Sequence, residues 1–281
     1  MLITGLDHIV LICPDIEEGV ETYTDLLGRA ADWRASAGGA ATALFNVENT
    51  SLELMAPDGE GPVAKRLREL LAVSGPRLTS LAFRTEDIGA AHHKLQRRGL
   101  KPGDIVRGES RNALDGATRS WDRFRCDDTE MAGIKTFILQ PHTLPEHLPS
   151  PQAGVSRLDH IVISTPNPLR ALANYGGRLG LGLALARTAE QWKTRFLFFR
   201  TGGLTFEVIH RLDEAHDADE ADSIWGLTWA VDDLHAAHVR LSASGVDVSE
   251  IRTGRKPGSH VFTVKSGTLN VPTLFISHSP R

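Results

Sequence analysis

Leu6-Asp7-His8-Ile9-Val10-Leu11-Ile12-Cys13-Pro14-Asp15 returns almost unchanged as Leu158-Asp159-His160-Ile161-Val162-Ile163-Ser164-Thr165-Pro166-Asn167. Each copy is a short apolar run, rich in Ile and Val, that ends at a proline. This is the pattern of a buried strand with a turn behind it. Each carries one imidazole near its start. A histidine among residues that favour burial needs a partner, because an unpaired buried polar group costs ~1–3 kcal/mol.

Both copies are followed by a second apolar strand with one acid in it: Ser51-Leu52-Glu53-Leu54-Met55, and Leu204-Thr205-Phe206-Glu207-Val208-Ile209. Glu53 lies 45 residues after His8, and Glu207 lies 47 after His160. A carboxylate inside a strand is costly unless it is paired, hydrogen-bonded or bound to a metal. Alternation puts His8, Val10 and Ile12 on one face of their strand, and Glu53 with Met55 on one face of theirs. The opposite faces, Ile9/Leu11 and Leu52/Leu54, are apolar and suit helix packing.

Outward from these strands the chain repeats a unit of strand, helix and three strands. The first helix is expected over 15–27, capped by Asp15, with Glu17 and Glu18 favoured by the dipole and Gly28 as its stop. A second helix is expected over 63–71. The next unit has a strand over 78–85 and a helix over 87–98, then strands near 105–107, 117–125 and 134–139. The third unit has a helix over 169–179 cut short by Gly176-Gly177, and strands near 184–187, 194–200 and 204–209. Residues 213–222 are acidic and read as a solvated loop. In the fourth unit Asp233-Leu234-His235-Ala236-Ala237-His238 parallels Asp87-Ile88-Gly89-Ala90-Ala91-His92, and Gly245 parallels Gly99. Strands near 259–264 and 271–276 close it. The predicted domains are 1–141 and 157–281, joined by a proline-rich linker over 142–156.

The chain has 281 residues, 41% hydrophobic and 23% charged, which fits one large or two ordinary soluble domains. A net charge of −4 gives no electrostatic case for nucleic acid or anionic membrane. No apolar run approaches the ~20 residues of a membrane span. The start of the chain lacks a basic segment, so no signal peptide is expected, and two cysteines without zinc-type spacing fit a reducing cytoplasm.

These motifs resemble the vicinal oxygen chelate superfamily, the glyoxalase-like fold. The first half is similar to methylmalonyl-CoA epimerases at Cys13-Pro14-Asp15, Met55-Ala56-Pro57, Val63-Ala64-Lys65-Arg66-Leu67 and Phe83-Arg84-Thr85-Glu86-Asp87-Ile88. The stretch 110–140, with Leu114-Asp115-Gly116, Ser120-Trp121-Asp122 and Thr136-Phe137-Ile138, also resembles a glyoxalase-like family. The resemblance implies an α+β fold of four βαβββ modules forming two curved mixed sheets with helices outside and pockets on the concave faces. It implies ligand positions at His8, Glu53, Ser80 and Phe137 in the first half, and His160, Glu207, Gly226 and Phe275 in the second. Each half keeps the first two and lacks the rest.

Three readings of these pairs stay open. His8, Glu53, His160 and Glu207 can hold a divalent metal (Zn, Mn, Fe, Co or Ni), with His260, His210 or Thr228 as a further ligand. Without metal, Glu53 and Glu207 can act as catalytic bases. Otherwise the pairs are inherited hydrogen bonds. His92, His93, His235 and His238 read as solvated. Trp121, Trp192, Trp225 and Trp229 read mainly as core, with pocket lining as the alternative. Arg84, Arg119 and Arg200 read as surface arginines that are also able to grip a carboxylate.

The function implied is proton transfer beside a carbonyl of a small oxo-compound: isomerase, epimerase or lyase. The alternative is a non-catalytic binding protein of the same fold. The expected partner is a small-molecule substrate, and a homodimer is allowed. Extradiol ring cleavage is disfavoured, since that chemistry takes ligands from the positions held here by Gly226 and Phe275.

Overall fold

The computed structural model describes residues 2–143, 153–215 and 217–278. Most of the expected linker, 144–152, lies outside the described residues. The first half supplies β1 (Gly5–Ile12), β2 (Trp33–Ala37), β3 (Ala40–Val47), β4 (Thr50–Pro57), β5 (Arg77–Arg84), β6 (Val106–Arg111), β7 (Thr118–Arg125) and β8 (Lys135–Pro141). They form one sheet in the order β2-β3-β4-β1-β5-β8-β7-β6. The second half supplies β9 (Val155–Ser164), β10 (Gly182–Ala189), β11 (Thr194–Thr201), β12 (Leu204–Arg211), β13 (Ser223–Val231), β14 (Arg252–Thr253), β15 (Ser259–Val264) and β16 (Thr273–His278). Their order, β10-β11-β12-β9-β13-β16-β15-β14, is the same with every strand advanced by eight. Both sheets are mixed: β1 runs parallel to β4 and antiparallel to β5, as β9 does to β12 and β13. This is the expected α+β fold of four βαβββ modules.

The helices α1 (Ile16–Leu27) and α3 (Ile88–Arg97) cover the convex face of the first sheet, and α5 (Leu234–Ala243) does so in the second. Asp15, Asp87 and Asp233 cap them through their carboxylates. His92 and His238, read as solvated, each tie a helix to the loop behind it. Their Nε2 atoms lie 3.0 Å from the Gly103 and Ser249 carbonyls, and their rings meet Phe124 and Phe262 edge-on.

Four expectations are corrected. Gly176-Gly177 do not end the third unit's helix: α4 (Pro168–Ala171) continues as a wider π-helical turn over Leu172–Arg178. Phe199 lies only 3.3 Å from where a Cβ on Gly176 would stand, so that glycine serves close packing. The acidic stretch is not wholly solvated, since Asp222 is buried on Thr165 and Arg170. Trp229 is core, whereas Trp225 is 48% exposed. Finally, not every helix lies outside. The helix α2 (Pro62–Ser74) packs Leu67, Leu70 and Leu71 against Val10, Ile12 and Met55, and so lies over the concave face of the first sheet.

One apolar core joins the convex faces of the two sheets. Phe83 of β5 stacks on Phe206 of β12 with ring centroids 5.4 Å apart. The β11–β12 hairpin tip docks on β1. A Cβ on Gly202 would stand 2.6 Å from Gly5 Cα, so only glycine admits that approach. Both cysteines are buried and free. No helix among the described residues is long and apolar enough to cross a membrane.

Candidate functional site

The repeated Leu-Asp-His opening carries a local irregularity that builds the site. Leu6 pairs with Phe83 and His8 with Ala82, so Asp7 is an extra residue, the residue of a β-bulge. The same slip occurs at Asp159, between the pairs Leu158–Trp229 and His160–Thr228. A bulge re-aims its side chain, so aspartate and histidine turn to the same face although they are adjacent in sequence. Asp7 Oδ1 lies 2.8 Å from His8 Nδ1, and Asp159 Oδ1 lies 2.9 Å from His160 Nδ1. The other ring nitrogen of each histidine meets the glutamate: His8 Nε2 is 3.3 Å from Glu53 Oε2, and His160 Nε2 is 3.4 Å from Glu207 Oε2. Each half thus holds an Asp–His–Glu chain on its concave face.

Electrostatics follow from this geometry. Burial pulls the His8 pKa down, but the Glu53 charge and the Asp7 hydrogen bond outweigh it and the net shift is upward. Burial opposes ionisation of Asp7, yet His8, with Arg84 and Arg119 behind it, brings its pKa below the ordinary value. Arg84 Nε donates to Asp7 Oδ2 at 3.3 Å. In the second half His278 takes that place, with Nε2 2.7 Å from Asp159 Oδ2.

The halves differ in what surrounds the chain. The first opens on a cavity of about 1030 Å³ lined by Asp7, His8, Glu53, Trp33, Arg119 and Trp121 among others. The sheet curls until its edge strands meet: Trp33 Nε1 donates to Ser110 Oγ at 2.9 Å, and Arg34 N donates to Asn112 Oδ1 at 3.0 Å. Asn112 Nδ2 donates back to the Asp32 carbonyl at 3.2 Å, so the cup is closed around its side. In the second half Phe196 and Phe198 pack with Trp192 against Val162 and Ile209 beside the Asp–His–Glu chain. There Thr228 Oγ1 also reaches His160 Nε2, at 2.9 Å, where the first half has Ala82.

Of the other expected ligands, Thr228 joins the second site but His260 and His210 do not. His260 is exposed and alternates onto the face of Phe262 and Val264, which pack in the helix-covered core. It therefore lies on the helix side of β15 and not on the concave face. His210 alternates with Glu207 and Ile209 onto the opposite face, with Nδ1 3.1 Å from the Thr165 carbonyl. Phe275 is likewise buried on the helix side, stacked on Phe262, and Leu274 holds the concave position matching Phe137. Gly226 has no room for any side chain, since a Cβ would stand 2.6 Å from the Pro272 carbonyl oxygen.

His8 Nε2 and Glu53 Oε2 are spaced as two ligands bonded at ~2.0–2.2 Å to one ion would be. The remaining donors do not fit. The cavity offers Ser80, Ala82 and Phe137 from β5 and β8, and a guanidinium, Arg119, whose charge acts on Glu53 and Asp7. Among the described residues no group of three or more His, Cys, Asp or Glu is placed to hold a metal ion. The first site is therefore supplied with a fixed cation where a divalent ion would need more anionic ligands.

Sequence reading missed the Asp7 and Asp159 contacts, Trp33 and His278. The repeated Asp-His pair was the available signal for the aspartates. No pattern marked Trp33 or His278.

Comparison with known proteins agrees with the fold. A glyoxalase-like domain model matches residues 6–175. A glyoxalase/bleomycin resistance protein/dioxygenase superfamily model matches residues 159–263. No curated protein sequence matches the chain. Among solved structures, a triple mutant of 4-hydroxymandelate synthase from Streptomyces coelicolor superposes with a TM-score of 0.72 at 15% identity, covering 99% of this chain and 94% of that one. The Mn(II)-bound glyoxalase from Novosphingobium aromaticivorans gives 0.63 at 12% identity, covering 98% and 82%. A hypothetical protein from Staphylococcus aureus gives 0.63 at 10% identity, covering 98% and 100%. At these identities the likenesses are of fold. With a glyoxalase-like domain model spanning more than half its length, the chain belongs to the glyoxalase-like domain family, within the vicinal oxygen chelate superfamily.

Proposed function

We propose that the chain is an enzyme that moves a proton at the carbon beside a carbonyl of a small oxo-compound, in the cup of the first half. The observation that supports this most is the Asp7–His8–Glu53 chain opening on a large cavity with a cation set against it. Glu53 is the base. His8, held at Nδ1 by Asp7, orients the glutamate and exchanges a proton with it through Nε2. Negative charge that develops on the carbonyl oxygen is met by the fixed cation Arg119. Isomerisation, epimerisation and elimination all pass through that enolate. The fold accommodates a metal in the Mn(II)-bound glyoxalase; here Glu53, His8 and Arg119 carry the proton transfer.

The test is solvent deuterium incorporation. A panel of 2-oxo acids and their esters, incubated in D2O with protein dialysed against chelator, is followed by loss of the α-proton signal in NMR. The proposal expects exchange above the buffer rate for at least one member. No exchange across the panel, with binding retained, supports the alternative of a binding protein without turnover.

A further inference from the structure

Arg119 lies against two tryptophans at the wall of the first cup. It lies on β7, opposite Ser110 of β6, and its side chain reaches over that strand to β2. There its Cζ sits 5.1 Å from the Trp33 ring centroid and 5.1 Å from that of Trp121. Two indoles on one guanidinium fix the plane of the fork. Neither tryptophan is free to drift. Trp33 is bonded to Ser110. The Trp121 indole lies flat on Gly108, where a Cβ would stand 2.5 Å from its ring.

The guanidinium is held and yet incompletely used. Among the described residues no carboxylate lies within ion-pair distance of it, although Glu53 and Asp7 are near enough to act on its charge. Its Nε is buried without an acceptor, and so is the indole Nε1 of Trp121 beside it. Buried donors are nearly always satisfied, and a desolvated guanidinium is the costliest donor to leave open. The rest of the fork lines the cavity and makes no hydrogen bond or ion pair among the described residues, so an acceptor arriving from the cavity can meet it. A planar fork fits a carboxylate better than any neutral oxygen.

We propose that Arg119, clamped between Trp33 and Trp121, receives the carboxylate of a small oxo-acid substrate and sets the carbon beside its carbonyl against Glu53. The assignment deepens the proton-transfer reading and rests on the same cup. It makes Arg119 a binding residue rather than a surface arginine, and it restricts the substrate to acids. The two aromatic walls favour a flat group next to the carboxylate, which a 2-oxo acid or its enolate supplies.

Binding separates this claim from turnover. The probes are 2-oxobutanoate and its neutral amide, 2-oxobutanamide, followed by ligand-observed NMR and by tryptophan fluorescence, since Trp33 and Trp121 flank the site. The wild-type protein should bind the acid at least tenfold more tightly than the amide, with an affinity that falls as salt rises. Arg119→Met should abolish that preference, and Arg119→Lys should restore part of it. Glu53→Gln should keep the preference even though it stops proton exchange, so loss of exchange and loss of the carboxylate slot are read separately. Thermal melts of each variant establish that it is folded. Equal binding of acid and amide by the wild-type protein, or an unchanged preference in folded Arg119→Met, overturns the assignment.

Discussion

Thr42 and Phe196 hold the same place in the two sheets: each pairs with the residue two beyond its strand's glutamate, Met55 and Ile209 respectively. Where the first half has Thr42 and Leu44, the second has Phe196 and Phe198, with stacked rings 5.9 Å apart. The Asp–His–Glu chain is duplicated, and the side chains beside it are not. This difference favours the first cup for chemistry.

Thr42→Phe should therefore transfer the second half's filling to the first. The ring enters an existing cavity, so the expected cost is at the low end of the ~1–3 kcal/mol typical of overpacking. Ligand binding and exchange should fall at least tenfold while the melt shifts little. Circular dichroism and the NMR binding assay check this; retained binding with a normal melt would place the ligand elsewhere.

His8 makes stability depend on pH with a definite sign. Its pKa in the folded protein lies above the ordinary 6.5, since Glu53 and Asp7 together outweigh burial. The native state thus holds the proton more tightly than the unfolded chain. That contribution is complete below the ordinary pKa and is lost as pH rises through the folded one. The melting-temperature gap between wild type and His8→Gln should be widest in mild acid and shrink as pH rises. A gap that stays constant between about pH 5 and 9 would remove His8 from this role. Asp7 acts in the opposite sense, its contribution being present above the ordinary 3.8 and lost only in stronger acid.

The stacked pair Phe83 and Phe206 ties the halves into one core. Phe206→Ala should cost ~3–5 kcal/mol, as for other buried rings. Urea unfolding of the wild type should show one transition for both halves. Two separate transitions, with only the second sensitive to Phe206→Ala, would show that the halves fold independently.

Repetition made the modules legible, down to the capping aspartates Asp87 and Asp233. The pairs His8/Glu53 and His160/Glu207 were legible too, because a charged group in an apolar strand must find a partner. Alternation alone assigns Asp7 to the opposite face from His8. The bulge at that residue depends on how β5 is registered against β1, which a single strand does not reveal. His260 shows the converse: its periodicity was plain, but which face meets the pocket depends on the packing of α5. Arg119 looked like any surface arginine: Trp121 lies two residues along the same strand, but Trp33 comes from β2, which meets this region only when the sheet curls.

Proton transfer is proposed for the first cup and not for the second. Deuterium exchange into the responding oxo acid, measured for Glu53→Gln and Glu207→Gln side by side, tests it most directly. Each change removes a charge and keeps the shape of one Asp–His–Glu chain. Glu53→Gln should lower the exchange rate by ~10²–10⁴, the usual contribution of a positioned base, while Glu207→Gln leaves it within about twofold of wild type. Exchange that survives Glu53→Gln, or is lost in Glu207→Gln, would contradict the account.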